Sequence, residues 1–265
     1  MQSISSRQNS IVRTFRELAA HPPVDGSRLL LDGAHLVEEA RAAGLAIEYA
    51  AVSARHIDDG SEIGRLADAL ARDASNVVAV TEPVMSAVSP VRSPSGIVAI
   101  ASRKPSSVEE ICGRQDAMIV AAVDVQDPGN LGALLRASEA GGATGAVVCG
   151  TSASPFSWKA VRGSMGSVLR LAVAAGLSPE ALLRSARALG VRCVASVPRG
   201  GDAPDAINWR GRVLLFVGGE GPGLSRETMA ACDARVTIPM QPPVESLNVA
   251  VAAALLVYEA RRQRI

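Results

Sequence analysis

The chain has 265 residues, 48% of them hydrophobic and 20% charged, an ordinary balance for a soluble globular protein with length enough for two domains or one large one. Its 27 Lys and Arg against 26 Asp and Glu leave a formal net charge of +1, so any nucleic-acid binding must rest on local arginine clusters rather than on bulk charge. No apolar run approaches the ~20 residues of a membrane span and MQSISSRQNSIVR lacks a signal-peptide core, while Cys112, Cys149, Cys193, Cys232 and His21, His35, His56 are scattered without ligand spacing. The expectation is a cytoplasmic protein with no metal and no membrane contact.

In chain order, Arg7, Arg13 and Arg16 come first, a cluster suited to bidentate phosphate contacts. From RLLLDGAHLVEEARAAG onward, short apolar runs alternate with helical ones. Leu29–Leu31, Ile47–Val52, Asn76–Val80 and Ile97–Ala101 read as strands, Ala34–Ala43 and Glu62–Ala71 as helices. Together they make a small α/β unit over residues 1–103. The polar stretch SRKPSSVEEICGRQD breaks the periodicity and places a linker at 104–116. A second α/β unit, 117–265, follows. Its strands Met118–Val123, Ala146–Cys149, Val191–Val197 and Val213–Val217 are continuous apolar runs, as in a parallel sheet buried on both faces. Cys149 and Cys193 fall in these runs as small buried hydrophobes. Arg261, Arg262 and Arg264 at the end form a second such cluster, with the favoured reading that they complement the dipole of a terminal helix.

Three loops at strand ends carry polar residues, where parallel sheets bind ligands. In DVQDPGNLGALLRASEAGG, Asn130 is placed to cap a helix that Gly141 ends, and Arg136 lies over Gly132 one turn earlier, its guanidinium toward Asn130. LLFVGGEGPGLS runs from a strand into Gly218, Gly219, Glu220, Gly221 and Gly223. A glycine-rich turn can cradle phosphate, yet this one has no lysine, and Glu220 would repel an anion. Its ligand is neutral or cationic there, or the segment is an ordinary tight turn. In IPMQPPVESLNVAVAAALLVYEA, Ser246 is placed as a helix cap, Asn248 follows as a polar residue in the first turn, and Leu247–Tyr258 is apolar nearly all round, as in a buried helix.

Taken together, N130-x-G132-x-x-x-R136, the G218-G-E220-G-x-G223-L224 loop and I238-P-M…E-S246-L-N248-V resemble the three signature motifs of the SpoU/TrmH family of RNA ribose 2′-O-methyltransferases, in the SPOUT superfamily. RGSMGSVLRLAV resembles the family's stretch between the first two motifs, and RLLLDGAHLVEEA is similar, more loosely, to its N-terminal RNA-recognition domain. One position departs: two residues after Met240 the family usually has glycine, where this protein has Pro242 followed by Pro243, which implies a more rigid loop.

The resemblance implies a C-terminal parallel-sheet domain with a trefoil knot, preceded by a small α/β substrate-binding domain. It implies S-adenosylmethionine as cofactor, contacted by Gly218, Ile238 and Leu247 with Gly219, Gly221 and Met240 in the same loops, and by Ser196 and Val197 at the preceding strand end. Asn130, Arg136, Glu220, Ser246 and Asn248 are the implied catalytic set. Arg136 matches the family arginine assigned as base, but a guanidinium stays charged in proteins, so a grip on a substrate phosphate or ribose oxygen is the favoured role. A homodimer is implied, with Arg7, Arg13 and Arg16 as RNA contacts and large-subunit ribosomal RNA as substrate. Transfer RNA is the alternative substrate. A non-catalytic RNA-binding or assembly protein of the same fold is the rival of another class, and a phosphate-binding nucleotide enzyme is disfavoured by the missing lysine.

Overall fold

The computed structural model describes residues 2–57, 60–73, 75–219, 221 and 223–265. The protein begins with β1 (Gln2–Ile4), α1 (Ser10–Ala20), β2 (Arg28–Asp32), α2 (Ala34–Ala42), β3 (Ala46–Ser53), α3 (Glu62–Arg72), β4 (Asn76–Val80), α4 (Glu82–Val88) and β5 (Ile97–Ser102). It continues through α5 (Val108–Cys112), β6 (Met118–Val123), α6 (Pro128–Ala140), β7 (Gly145–Cys149), α7 (Trp158–Gly163) and α8 (Ser167–Arg170). The last third holds β8 (Ala172–Leu177), α9 (Pro179–Ala188), β9 (Arg192–Ser196), β10 (Val213–Gly218), α10 (Arg226–Ala231), β11 (Ala234–Val236) and α11 (Val249–Arg264). No described helix is long and apolar enough to cross a membrane.

These elements form two compact units, residues 1–104 with 156–170 and residues 105–155 with 171–265. In the first, the sheet order is β1-β4-β3-β5-β2, with β5 antiparallel to both neighbours and the remaining pairs parallel. The spacing of Val12, Phe15 and Leu18 puts one face of α1 into the core beside Leu30, Val80 and Ile100. The Asn9 side chain starts that helix by accepting the Ile11 N–H at 2.9 Å. α7 packs on β2, and Phe156 just ahead of it fills the space that a side chain on Gly26 would need.

The second unit has a sheet that is parallel throughout, ordered β11-β9-β10-β6-β7-β8. Every residue of β6 is buried, because helices cover both faces. On one face Ile119, Ala121, Cys193 and Phe216 pack with Ile111 of α5 and with Leu182 and Ala186 of α9. On the other, α6 and α11 lie against each other, with Leu131, Leu134 and Leu135 buried on α6 and Leu256, Val257 and Ala260 on α11. β6 leads to one helical layer and the adjacent β10 to the other, which is the arrangement that opens a crevice at the strands' carboxyl ends.

Several expectations need correction. The segment 104–116, read as linker, contains α5, started by a reciprocal Ser107–Glu110 capping box and packed into the second unit's core through Val108, Ile111 and Cys112. Asn130 does not cap α6. Pro128 at the first turn fixes the start, so Asp127 is the cap and its Oδ1 accepts the Asn130 N–H at 2.7 Å. Nor does Ser246 cap α11: that role falls to Asn248, whose Oδ1 accepts from Ala250 N–H at 2.9 Å and Val251 N–H at 3.4 Å. α11 is also not buried all round, since Val251, Leu255 and Tyr258 are 48%, 48% and 51% exposed along one stripe.

Candidate active site

Beyond the carboxyl ends of β9 and β10 the second unit encloses a cavity of about 490 Å³. Ser196, Val197 and Pro198 form one wall where β9 ends. Val217, Gly218, Gly219, Gly221, Gly223 and Leu224 continue it where β10 ends. Met229 of α10, Ile238 and Met240 after β11, and Ser246 to Val249 with Ala252 at the start of α11 complete it. All the residues singled out in the sequence as cofactor contacts therefore face one space. Among the described lining residues none is charged, so nothing there would neutralise a phosphate or repel a cation. Glu220 lies outside the described residues.

The glycines are bare for reasons of backbone packing as well as access. A Cβ on Gly218 would stand 2.6 Å from the carbonyl carbon of Gly223 and from the amide nitrogen of Leu224, so the loop folds back on its own strand end. One on Gly219 would collide with the carbonyl oxygen of Asp124 and stand 2.5 Å from its carbonyl carbon. Gly221 and Gly223 have φ of +95° and +67°, left-handed backbone that favours glycine.

Two motifs meet directly. Asn248 Nδ2 donates to Asn130 Oδ1 at 3.0 Å, joining the start of α11 to the first turn of α6 while the other end of the same amide caps α11. Ser246 is exposed at the cavity. Arg136 lies two turns further along α6, exposed, with no hydrogen bond or ion pair among the described residues, while Gly132 is buried. Arg136 does not line the cavity. In the first unit Arg13 and Arg16 are exposed on α1, and Arg7 donates from Nε to Pro83 O at 3.0 Å.

Burial raises all four thiols, Cys112 to about 11 and Cys149, Cys193 and Cys232 to about 12, so no thiolate nucleophile exists near neutral pH. Among the described residues no His, Cys, Asp and Glu cluster could hold a metal ion. Pro198 and Met229 were not foreseen as lining residues. The turn Pro198–Gly200 directly after β9 was a readable signal for the first; nothing in the helical segment marks Met229.

An uncharged, glycine-lined cavity at the carboxyl ends of a parallel sheet, with paired asparagines at its edge, defines a domain for a small ligand that is not held by phosphate. Residues 117–258 match the model of the SpoU rRNA Methylase family, and residues 25–99 that of the MRM3-like substrate binding domain. The protein belongs to the SpoU rRNA methylase family. It is 31% identical over 99% of its length to an uncharacterized tRNA/rRNA methyltransferase of Synechocystis, of which it covers 94%. It is 29% identical to the 23S rRNA (guanosine(2553)-2'-O)-methyltransferase RlmP of Bacillus subtilis, over 98% of its own length and 100% of that relative's. The crystal structure of an AdoMet-bound rRNA methyltransferase from Sinorhizobium meliloti superposes with a TM-score of 0.86 at 29% identity, covering 100% of this protein and 98% of that one.

Proposed function

We propose that the protein methylates a ribose 2′-hydroxyl of RNA from S-adenosylmethionine, with large-subunit ribosomal RNA as its substrate in the cytoplasm. The observation that carries this reading is the cavity on which the strand-end loops of all but the first motif converge. Its volume lies within the ~300–1,000 Å³ of small-molecule sites. Its lining suits a nucleoside with a cationic sulfonium: Ile238, Met240 and Leu247 offer apolar surface, and Ser196, Ser246 and the glycine backbone offer hydrogen bonds. When bound, S-adenosylmethionine supplies the electrophilic methyl group.

The protein's own residues then have to orient the hydroxyl and hold the neighbouring RNA backbone. The Arg136 guanidinium engages no carboxylate among the described residues, so it is available to grip a substrate phosphate or ribose oxygen. The Asn130–Asn248 bond fixes the two helix starts on which that grip depends. Ser246 and Glu220 complete the set that positions the nucleotide. The first unit serves RNA recognition through Arg7, Arg13 and Arg16. The second, with its C-terminal loops in a trefoil knot, acts as a homodimer, and the exposed stripe of Val251, Leu255 and Tyr258 supports that assembly. Transfer RNA is the second reading, favoured by the Synechocystis relative, whose name spans both substrates.

Titration calorimetry with S-adenosylmethionine tests the site. The wild type should bind and Leu247→Arg should not, because Leu247 is partly exposed and a large cation there fills the cavity without disturbing the core. A folded wild type that fails to bind would favour the non-catalytic RNA-binding reading, with Pro242 as the altered loop position.

A further inference from the structure

Asp124 sits at the end of β6, ahead of the first motif, and does not line the cavity. Its φ is +56°, left-handed backbone that residues with a Cβ adopt uncommonly, aspartate more readily than most. Its surroundings are specific. Asp124 Oδ1 accepts from Thr151 N–H at 2.7 Å and from Thr151 Oγ1–H at 2.9 Å, in the loop that leaves β7. A side chain on Gly150 would collide with that same carboxylate, and one on Gly219, in the loop that leaves β10, would collide with the Asp124 carbonyl. Gly219 N–H donates to Val123 O at 2.7 Å, Val125 N–H to Ser152 Oγ at 3.0 Å and Ala153 N–H to Val125 O at 2.9 Å.

We propose that Asp124 is a positioning residue for methyl transfer, locking the loop that enters α6 to the loops that leave β7 and β10. The inference rests on the functional reading above. Three residues downstream, Asp127 caps α6 by accepting the Asn130 N–H, and Asn130 in turn accepts from Asn248. A displacement of the Asp124 side chain is therefore passed to Asn130, and with α6 to Arg136, while the cavity loop after β10 is held to this turn by backbone, through the Gly219 N–H to Val123 O bond. Bare glycine at positions 150 and 219 follows from the same arrangement, because Asp124 occupies the space on both sides.

The test separates the carboxylate from the backbone. Asp124→Gly keeps the left-handed conformation and loses the acceptor; Asp124→Asn keeps both, since its amide oxygen can still accept from Thr151 and Asn tolerates this backbone. Single-turnover methyl transfer, calorimetry with S-adenosylmethionine and amide hydrogen exchange would be measured on both variants. Asp124→Gly should lower the transfer rate about 10- to 100-fold, the scale of a small misplacement of reacting groups, with cofactor affinity unchanged and faster exchange at Thr151 and Asn130. Asp124→Asn should restore rate and protection together. The proposal is overturned if Asp124→Gly transfers methyl at the wild-type rate, if Asn fails to rescue, or if the lost rate is matched by equal loss of cofactor affinity and thermal stability. A wild type that transfers no methyl group would sink the functional reading instead, and the exchange rates would still decide whether Asp124 holds the loops.

Discussion

Gly219 is the position where one atom more has the clearest cost. Its Cα faces the Asp124 carbonyl across a gap that admits no methyl group, and both sides are backbone, so neither can rotate away. Gly219→Ala should lower unfolding stability by about 1–3 kcal/mol, the usual range for overpacking, measured by urea titration followed by circular dichroism; an unchanged midpoint would contradict the close crossing. Apolar runs placed the strands, and the resemblance to the family's motifs, rather than the runs, singled out the residues of β9, β10 and α11 that line the cavity. Helix starts were harder, because more than one cap-forming residue stood near each: Asp127 and Asn130 at α6, Ser246 and Asn248 at α11. Proline geometry decided the first, and the bonds to the Ala250 and Val251 N–H groups the second. The left-handed conformation of Asp124 was not legible, since aspartate tolerates it no better than asparagine and most aspartates do not adopt it.

Among the elements, α11 shows how a terminal helix is held. Arg264 donates from Nε to Trp209 O at 2.7 Å, from Nη1 to Asp116 O at 3.0 Å, and from Nη2 to Gly211 O at 2.6 Å and Ala117 O at 3.3 Å. Arg261 donates to Ala140 O at 2.9 Å, at the end of α6. These two terminal arginines thus satisfy backbone carbonyls, beyond the helix-dipole complement that their position predicts. Arg264→Ala should destabilise by about 1.5–3 kcal/mol, the range for hydrogen bonds from a charged donor, with RNA affinity unchanged in a filter-binding assay; a variant of wild-type stability with weakened RNA binding would reverse the assignment. The opposite stripe of α11 makes a different prediction. Leu255→Asp should convert a dimer to a folded monomer by sedimentation velocity, and a wild type that sediments as a monomer would remove the dimer from the account. The longer strands were legible because β-branched and apolar runs mark them. β1 and β11 are three residues each, and β8 is the alanine- and glycine-rich AVAAGL, so neither length nor propensity sets them apart.

For the whole molecule, a parallel sheet preceded by a smaller α/β unit was readable from the alternation of apolar runs. The grouping of residues 156–170 with the first unit was not, because contiguous reading assigns a segment to its sequence neighbours, whereas packing of α7 on β2 assigns this one to a sheet formed from much earlier residues. Net charge is also a poor guide at this scale: a value of +1 averages an arginine cluster in and just before α1 with acidic residues elsewhere. Replacing Arg7, Arg13 and Arg16 together by Ala should weaken RNA binding and flatten its dependence on salt by up to about three phosphate contacts; an unchanged slope would move the RNA surface elsewhere. The most direct measurement of the central claim is transfer of a labelled methyl group from S-adenosylmethionine to ribosomal RNA taken from cells that lack the protein. The account predicts label in an alkali-resistant dinucleotide, because a methylated 2′-oxygen cannot attack its own phosphodiester, with the label lost in Leu247→Arg and strongly reduced in Arg136→Ala. Label released with a base, or none incorporated by a protein that binds the cofactor, would contradict it.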